Sequence, residues 1–195
     1  GAAERGRLLT GETVAAGDVL LGLASSGLHA NGFSLVRRIV EAQGLSYDAP
    51  APFDSGRTLG EALLEPTRIY VKSCLKAVET GAVKALAHVT GGGLVENPPR
   101  VLAQGLAVEV DAAAWPLPPV FRWLKEAGRI VPHELTRTFN CGIGMAVIAD
   151  ADAVGKVERV LAETGETVFT LGRVVPRRAR EPPFRLRGAK ETWRS

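Results

Sequence analysis

Twice in this chain an apolar run of strand length gives way to small and polar residues and then to a helical pattern. VLLGLA is followed by SSGLHANG and FSLVRRIV over residues 19–40, and VKALAHV by TGGG and LVEN over 83–97. A short apolar run bounded by glycines, then a 3.6-residue apolar period, requires a sheet with helices packed on it.

The rest of the chain fits the same frame. In the first helix Leu35, Val36, Ile39 and Val40 share one face, opposite Arg37, Arg38 and Glu41, and Gly44 ends it. SYDAPAPFDSGR, 46–57, reads as a loop before a short helix over TLGEALLE. Pro66 is placed for the first turn of a second helix, in which Tyr70, Cys74 and Val78 recur and Gly81 closes the end. Pro98 and Pro99 must break or restart the helix opened by LVEN. LAVEV alternates as an edge strand, PPVFRWLKEAG is a helix, and CGIGMAVIA is a strand with Ile143, Met145 and Val147 on one face. Gly142, Gly144 and Ala146 form its other, small-residue face. A helix over 151–164 leads to the strand TVFTLGRVV. The order β-α-α-β-α-β-α-β-α-β predicts one mixed sheet with helices packed on it, an α/β domain over residues 15–175.

The net charge of +3 raises the question of nucleic acid. Between Arg173 and Ser195 there are eight basic residues and two acidic ones, which leaves 16 basic against 19 acidic in the remainder. The basic character therefore belongs to a Pro/Arg-rich tail, 176–195, expected to be a solvated, disordered end, and the body is mildly acidic. No apolar run is long enough to span a membrane and no leader pattern is seen, so a cytosolic location is expected. Cys74 falls in a helical pattern and Cys141 in a strand pattern, without CxxC or ligand-spaced His, so both are expected as reduced thiols in or near the core. No metal ligand is assigned.

Three loops can carry chemistry. In the first, Ser25, Ser26, His29, Asn31 and Ser34 crowd a strand-to-helix turn in which Gly27 and Gly32 are free to adopt unusual angles. Such a turn offers unpaired N–H groups to phosphate; equally, Asn31 can cap the helix while the serines satisfy the turn. In the second, Gly91, Gly92 and Gly93 are flanked by His88, Thr90, Glu96 and Asn97. This matches neither GxGxxG nor GxxxxGK[ST], and His88 taken alone reads as a buried, hydrogen-bonded core residue. In the third, Arg137, Thr138 and Asn140 precede the strand with the small face, where Arg can clamp an anion and Asn can read an amide. Cys141 has no nearby base and is rejected as a nucleophile. Together the loops describe a cleft for a phosphorylated, hydrogen-bonding small molecule.

GDVLLGLASSGLHANGFSLVRRIV, LLEPTRIYVKS, VKALAHVTGGGLVENPPRVL and RTFNCGIGM, in this order, closely resemble the phosphoribosylformylglycinamidine cyclo-ligase (aminoimidazole ribonucleotide synthetase, AIR synthetase) family over roughly residues 5–175. The resemblance implies the C-terminal half of such an enzyme, a three-layer α/β/α domain with a mixed sheet. Residues 1–14 would be the linker from an N-terminal ATP-binding half that supplies most ATP and magnesium contacts and the homodimer interface. The implied reaction is ATP-dependent ring closure of formylglycinamidine ribonucleotide to 5-aminoimidazole ribonucleotide in purine biosynthesis, with the isolated half expected to be inactive. Position by position, Ser25, Ser26, Gly27, His29, Asn31, Gly32 and Ser34 would meet the ribose phosphate or glycinamidine side. His88, Thr90, Gly91, Gly92, Gly93 and Asn97 would face ATP, with His88 and Asn31 the catalytic candidates. Arg137, Thr138, Asn140 and Gly142 would shape the substrate end. Pro98 departs from the β-branched aliphatic usual in the family, and the Arg-rich tail departs as well.

Two other classes stay open. Related ATP-dependent enzymes share the architecture: formylglycinamidine ribonucleotide synthetase, selenophosphate synthetase, thiamine-phosphate kinase and a hydrogenase maturation factor. A non-catalytic module that binds a ligand, or RNA through the tail, is the other, although the acidic body speaks against a nucleic-acid partner.

Overall fold

The computed structural model describes residues 8–193. Residues 1–7 of the expected linker lie outside that range. Its last residue, Val14, is already buried in the main core, and a Cβ on Gly11 would lie 2.5 Å from the Val101 carbonyl oxygen. The chain is therefore packed against the domain before residue 15.

Among the described residues eight strands form: β1 (Val19–Ala24), β2 (Pro50–Ala51), β3 (Asp54–Thr58), β4 (Val83–His88), β5 (Leu106–Asp111), β6 (Ile143–Ala149), β7 (Val168–Pro176) and β8 (Phe184–Arg187). The helices are α1 (Phe33–Ala42), α2 (Leu59–Leu63), α3 (Val71–Val78), α4 (Gly93–Glu96), α5 (Pro119–Ala127), α6 (Pro132–Thr138), α7 (Val154–Glu163) and α8 (Ala189–Thr192). Six strands make one sheet in the order β4-β6-β1-β7-β5-β8. Neighbours run antiparallel except β5 and β8, which are parallel, so the sheet is mixed as the element order predicts.

Alternation along β1 sends side chains into two cores. Leu20 packs with Val36, Ile39 and Val40 of α1 and Val120, Phe121 and Leu124 of α5. Leu21 and Leu23 pack on the opposite face with Cys74 and Ala77 of α3 and Val157 and Leu161 of α7. Helices thus cover both faces in three layers. Each fully buried leucine of β1 contributes about 1.5–3 kcal/mol.

Several local expectations are corrected. The 46–57 segment contains the β2–β3 hairpin rather than a plain loop. Residues 65–70 have no regular structure, so Pro66 does not open a helix, and α3 begins at Val71. Pro98 and Pro99 restart the chain as a 3-10 turn over Pro98–Val101. Cys141 sits in the turn before β6 at φ 52° rather than in the strand. The register shifts between Leu23 and Ala24, and Met145 and Val147 share the α3/α7 face while Ile143 packs on the other.

The largest correction concerns the tail. Phe184–Arg187 adds a parallel strand outside β5, which is therefore not the edge. Trp193 is buried against Trp115, ring centroids 5.3 Å apart and nearly perpendicular, and its indole N–H donates to the Ala112 carbonyl at 3.1 Å. Charge composition does not reveal this, because the apolar anchors Phe184, Leu186 and Trp193 are spaced among arginines that point outward.

Candidate functional site

β1 and β4 end where β6 begins, because both pair with it antiparallel. That arrangement brings the three glycine-bearing loops to one end of the sheet. Asn31 Nδ2 donates to the Val89 carbonyl at 3.1 Å, tying the first loop to the second. Asn140 Nδ2 donates to the carbonyls of Gly27 and Leu28, tying the third to the first. A Cβ on Gly93 would lie 2.0 Å from the Thr136 carbonyl oxygen, so the second loop is pressed against α6.

The gathered residues divide into an internal frame and an exposed rim. Asn140 is fully buried, and its Oδ1 accepts from Ser25 Oγ at 3.0 Å and Gly142 N at 2.8 Å. With two donors and two acceptors used, its hydrogen-bonding capacity is filled. Asn97, also buried, donates one amide proton to the Gly93 carbonyl at 2.8 Å and shares the other between those of Thr90 and Gly91, and so holds the glycine turn closed. Thr90 Oγ1 donates to Asn97 Oδ1 at 3.3 Å.

Gly32 is the N-cap of α1 at φ 73°, so Asn31 is not the cap, and a Cβ there would lie 2.3 Å from the Phe139 ring. The serines do satisfy the turn: the Ser25 hydroxyl proton is shared between the Gly27 carbonyl and Asn140 Oδ1, each 3.0 Å away, and Ser26 Oγ donates to the Pro66 carbonyl at 2.6 Å.

His29 is buried with φ 55°. Its Nε2 accepts from the backbone N–H of Ser26 at 3.1 Å and of Arg68 at 3.5 Å, which leaves the ring proton on Nδ1, a buried atom without a partner. Burial, with a smaller contribution from nearby His88, pushes its pKa down to about 4. His29 is therefore neutral near pH 7.

The rim comprises Ser26, Ser34, His88, Gly91 and Arg137, all exposed, with Gly27, Thr90, Gly92 and Thr138 half-exposed. His88 is not the buried residue that its apolar strand suggests; it ends β4, edge-on to Tyr70 at 6.3 Å between ring centroids. Arg137 is drawn to Glu96 at 3.5 Å, as is Arg100 at 3.2 Å.

These residues open onto different grooves. Ser25, Ser26 and Gly27 line one of about 340 Å³ with Asp54, Arg57 and Pro118. His88 lines another of about 530 Å³ with Arg68, Ile69, Tyr70 and Met145. Arg137 lines a third of about 600 Å³ with Glu96, Arg100 and Arg177. Asp54 and Arg57 were not anticipated, since the hairpin carrying them, with its turn at Pro52 and Phe53, reads as a loop. Arg57 donates to Asp54 at 2.7 Å and to Glu65 at 2.6 Å, and the first of these bonds holds the Asp54 carboxyl below the usual carboxylate range.

Cys141 is fully buried and its thiol pKa is pushed up by burial, which fits an inert core residue. Cys74 is likewise buried, its thiol raised to about 11 by burial and by Glu166. Among the described residues no three His, Cys, Asp or Glu side chains converge as a metal-binding set. No described helix is long and apolar enough to cross a membrane.

Residues 15–181 match the family model described as AIR synthase related protein, C-terminal domain. Among solved structures, the chain is similar to a thiamine-monophosphate kinase from Stenotrophomonas maltophilia K279a, with 18% identity and TM-score 0.62 over 95% of this chain and 55% of that one. It is similar to E. coli HypE, a hydrogenase maturation protein, with 22% identity and TM-score 0.57 over 91% of this chain and 48% of that one. T. maritima PurL complexed with AMPPCP matches at 13% identity and TM-score 0.55 over 94% of this chain and 25% of that one. The chain thus spans about half or less of the length of these proteins, and the likeness is one of fold.

Proposed function

From the premise that the chain belongs to the AIR synthase related C-terminal domain family, we propose that it is the substrate-side half of an ATP-dependent cyclo-ligase. Its substrate would be formylglycinamidine ribonucleotide and its product 5-aminoimidazole ribonucleotide. The observation that carries this reading is the convergence of the resembling motifs: loops more than 50 residues apart are tied by Asn31 to Val89 and by Asn140 to Gly27.

In this reading the γ-phosphoryl group of ATP passes to the formyl amide oxygen. The neighbouring amidine-derived nitrogen attacks the same carbon, the C–O bond breaks with departure of phosphate, and a proton is lost as the imidazole forms. Such chemistry depends on positioning and on electrostatic stabilisation of phosphoryl oxygens more than on a strong acid or base. This chain contributes the exposed Ser34 hydroxyl and the first-turn N–H groups of α1 toward a phosphate, with Ser26, bound to the Pro66 carbonyl, shaping the turn beside them. It contributes His88 toward the reacting group and Arg137 at the substrate end. The described residues form no magnesium cage, and in this reading ATP and metal are held mainly by an N-terminal half of the same enzyme, which also carries the homodimer contact.

The test is product formation from formylglycinamidine ribonucleotide, ATP and magnesium, by this chain alone and mixed with a separately produced N-terminal half. Activity only on mixing, lost with His88→Ala, is the expected result. His88 is exposed, so its removal is expected to leave the fold intact, which the circular dichroism spectrum of the variant checks. Folded, associated halves that stay silent would overturn the reading. The shared fold with a thiamine-monophosphate kinase and a hydrogenase maturation protein supports a second reading, another ATP-dependent enzyme of this superfamily, which a substrate panel separates. An RNA-binding tail is disfavoured because Arg185 is paired with Glu181 and Arg187 with Glu109 within the fold.

A further inference from the structure

Glu166 follows α7, remote in sequence from every loop at the site, and its side chain is 3% exposed. Ser73 Oγ donates to its Oε1 at 2.5 Å and Arg68 Nε to its Oε2 at 2.8 Å, while Arg68 Nη2 donates to the neighbouring Gly165 carbonyl at 2.7 Å. A buried carboxylate paired with a half-exposed arginine is a poor source of stability, since desolvation offsets most of the attraction. What the pair does is fix geometry.

The segment it fixes is 65–70, which has no regular structure and is tied at its far end by Tyr70, whose carbonyl accepts from the Cys74 N–H of α3 and whose hydroxyl donates to the Ala24 carbonyl. That segment meets the first loop at several points, including the Tyr70 ring beside His29 and the Glu65 side chain beside Gly27. The Pro66 carbonyl accepts from Ser26 Oγ, and the Arg68 N–H points at His29 Nε2. It also supplies Arg68, Ile69 and Tyr70 to the wall of the groove that His88 lines. A displacement of Arg68 would thus reach Ser26, His29 and the His88 groove together.

We propose that Glu166 is a positioning residue: through Arg68 it sets the 65–70 segment and thereby the His29 ring and the Ser26 turn. Its importance for catalysis rests on the reading that this loop and His88 face the ligand; its action on the segment does not.

The experiment uses the chain with ¹⁵N-labelled histidine. Two-bond ¹H–¹⁵N spectra near pH 7 distinguish the protonated from the bare ring nitrogen. The wild-type protein is expected to show His29 fixed with its proton on Nδ1. In Glu166→Gln this signature gives way to a tautomer mixture, and amide exchange at Arg68 speeds up by at least about tenfold. A role confined to packing lowers the melting temperature without moving the tautomer. Should Glu166→Gln fail to fold, Arg68→Lys provides the same readouts, because an ammonium cannot hold the Glu166 carboxylate and the Gly165 carbonyl in the guanidinium's fork. A folded variant that retains the fixed tautomer and wild-type exchange overturns the proposal. In the reconstituted enzyme, Glu166→Gln is expected to raise KM for the ribonucleotide more than it lowers kcat. If the wild-type mixture is inactive, the cyclo-ligase reading fails, while the spectra still decide the role of Glu166.

Discussion

The side-chain amide of Asn140 and the carbonyl of Gly27, 113 residues apart in sequence, meet at 2.9 Å in the buried joint between two loops. The same amide also engages Leu28, Ser25 and Gly142. Asn140→Ala takes one donor from each of two carbonyls, which keep Ser25 Oγ and the Asn31 N–H, and leaves the buried Gly142 N–H without its acceptor; it is expected to destabilise the chain by about 1–3 kcal/mol. Asn140→Asp is expected to be at least as harmful, because a carboxylate oxygen replaces the donor that faces both carbonyls. Urea unfolding of the three proteins checks this, and equal midpoints would refute it.

The three successive glycines should not respond alike. Gly93 has φ 57° and its added Cβ would lie 2.0 Å from backbone, whereas Gly91 is exposed, is not left-handed and has nothing within 4 Å of that position. Gly93→Ala is expected to cost more than about 3 kcal/mol and Gly91→Ala less than about 0.5 kcal/mol, so melting curves should separate them clearly.

His29 makes stability depend on pH. Its folded pKa, about 4, lies below the ordinary value of 6.5. The unfolded chain therefore takes up this proton first as pH falls. Stability is complete above about pH 6.5, declines from there to about pH 4, and loses on the order of 3 kcal/mol in all from this group. His29→Asn, which tolerates the left-handed backbone, should flatten that part of the profile. Chemical unfolding at half-unit pH steps provides the comparison, and an unchanged slope would sink the assignment.

Trp193 anchors the tail. Trp193→Ala is expected to cost about 3–5 kcal/mol. It should also release the parallel strand β8 and expose the edge of β5 to aggregation. Hydrogen exchange along Leu106–Asp111 would report the release directly, and unchanged protection there would count against it.

Periodicity and turn chemistry made much of the frame legible. α1, α5 and α7, strands β1, β4, β5, β6 and β7, and the three glycine loops follow from apolar spacing and from glycines at strand ends. The capping box at Thr58 and Glu61 likewise lies within the predicted short helix. These features are local, and the chain's own chemistry decides them within a few residues.

Pairing and burial are decided by parts of the chain distant in sequence. Whether an asparagine faces a ligand or fills a joint depends on what lies opposite, and for Asn140 that is a loop more than a hundred residues away. Whether His88 or His29 is the buried histidine depends on which loop covers which strand end. The arginines of the tail suggested a solvated end; Phe184 and Trp193 find apolar partners only once β5 and Trp115 are in place. Spacing along one strand or helix can be read directly, but contacts between distant segments exist only after the chain has closed on itself.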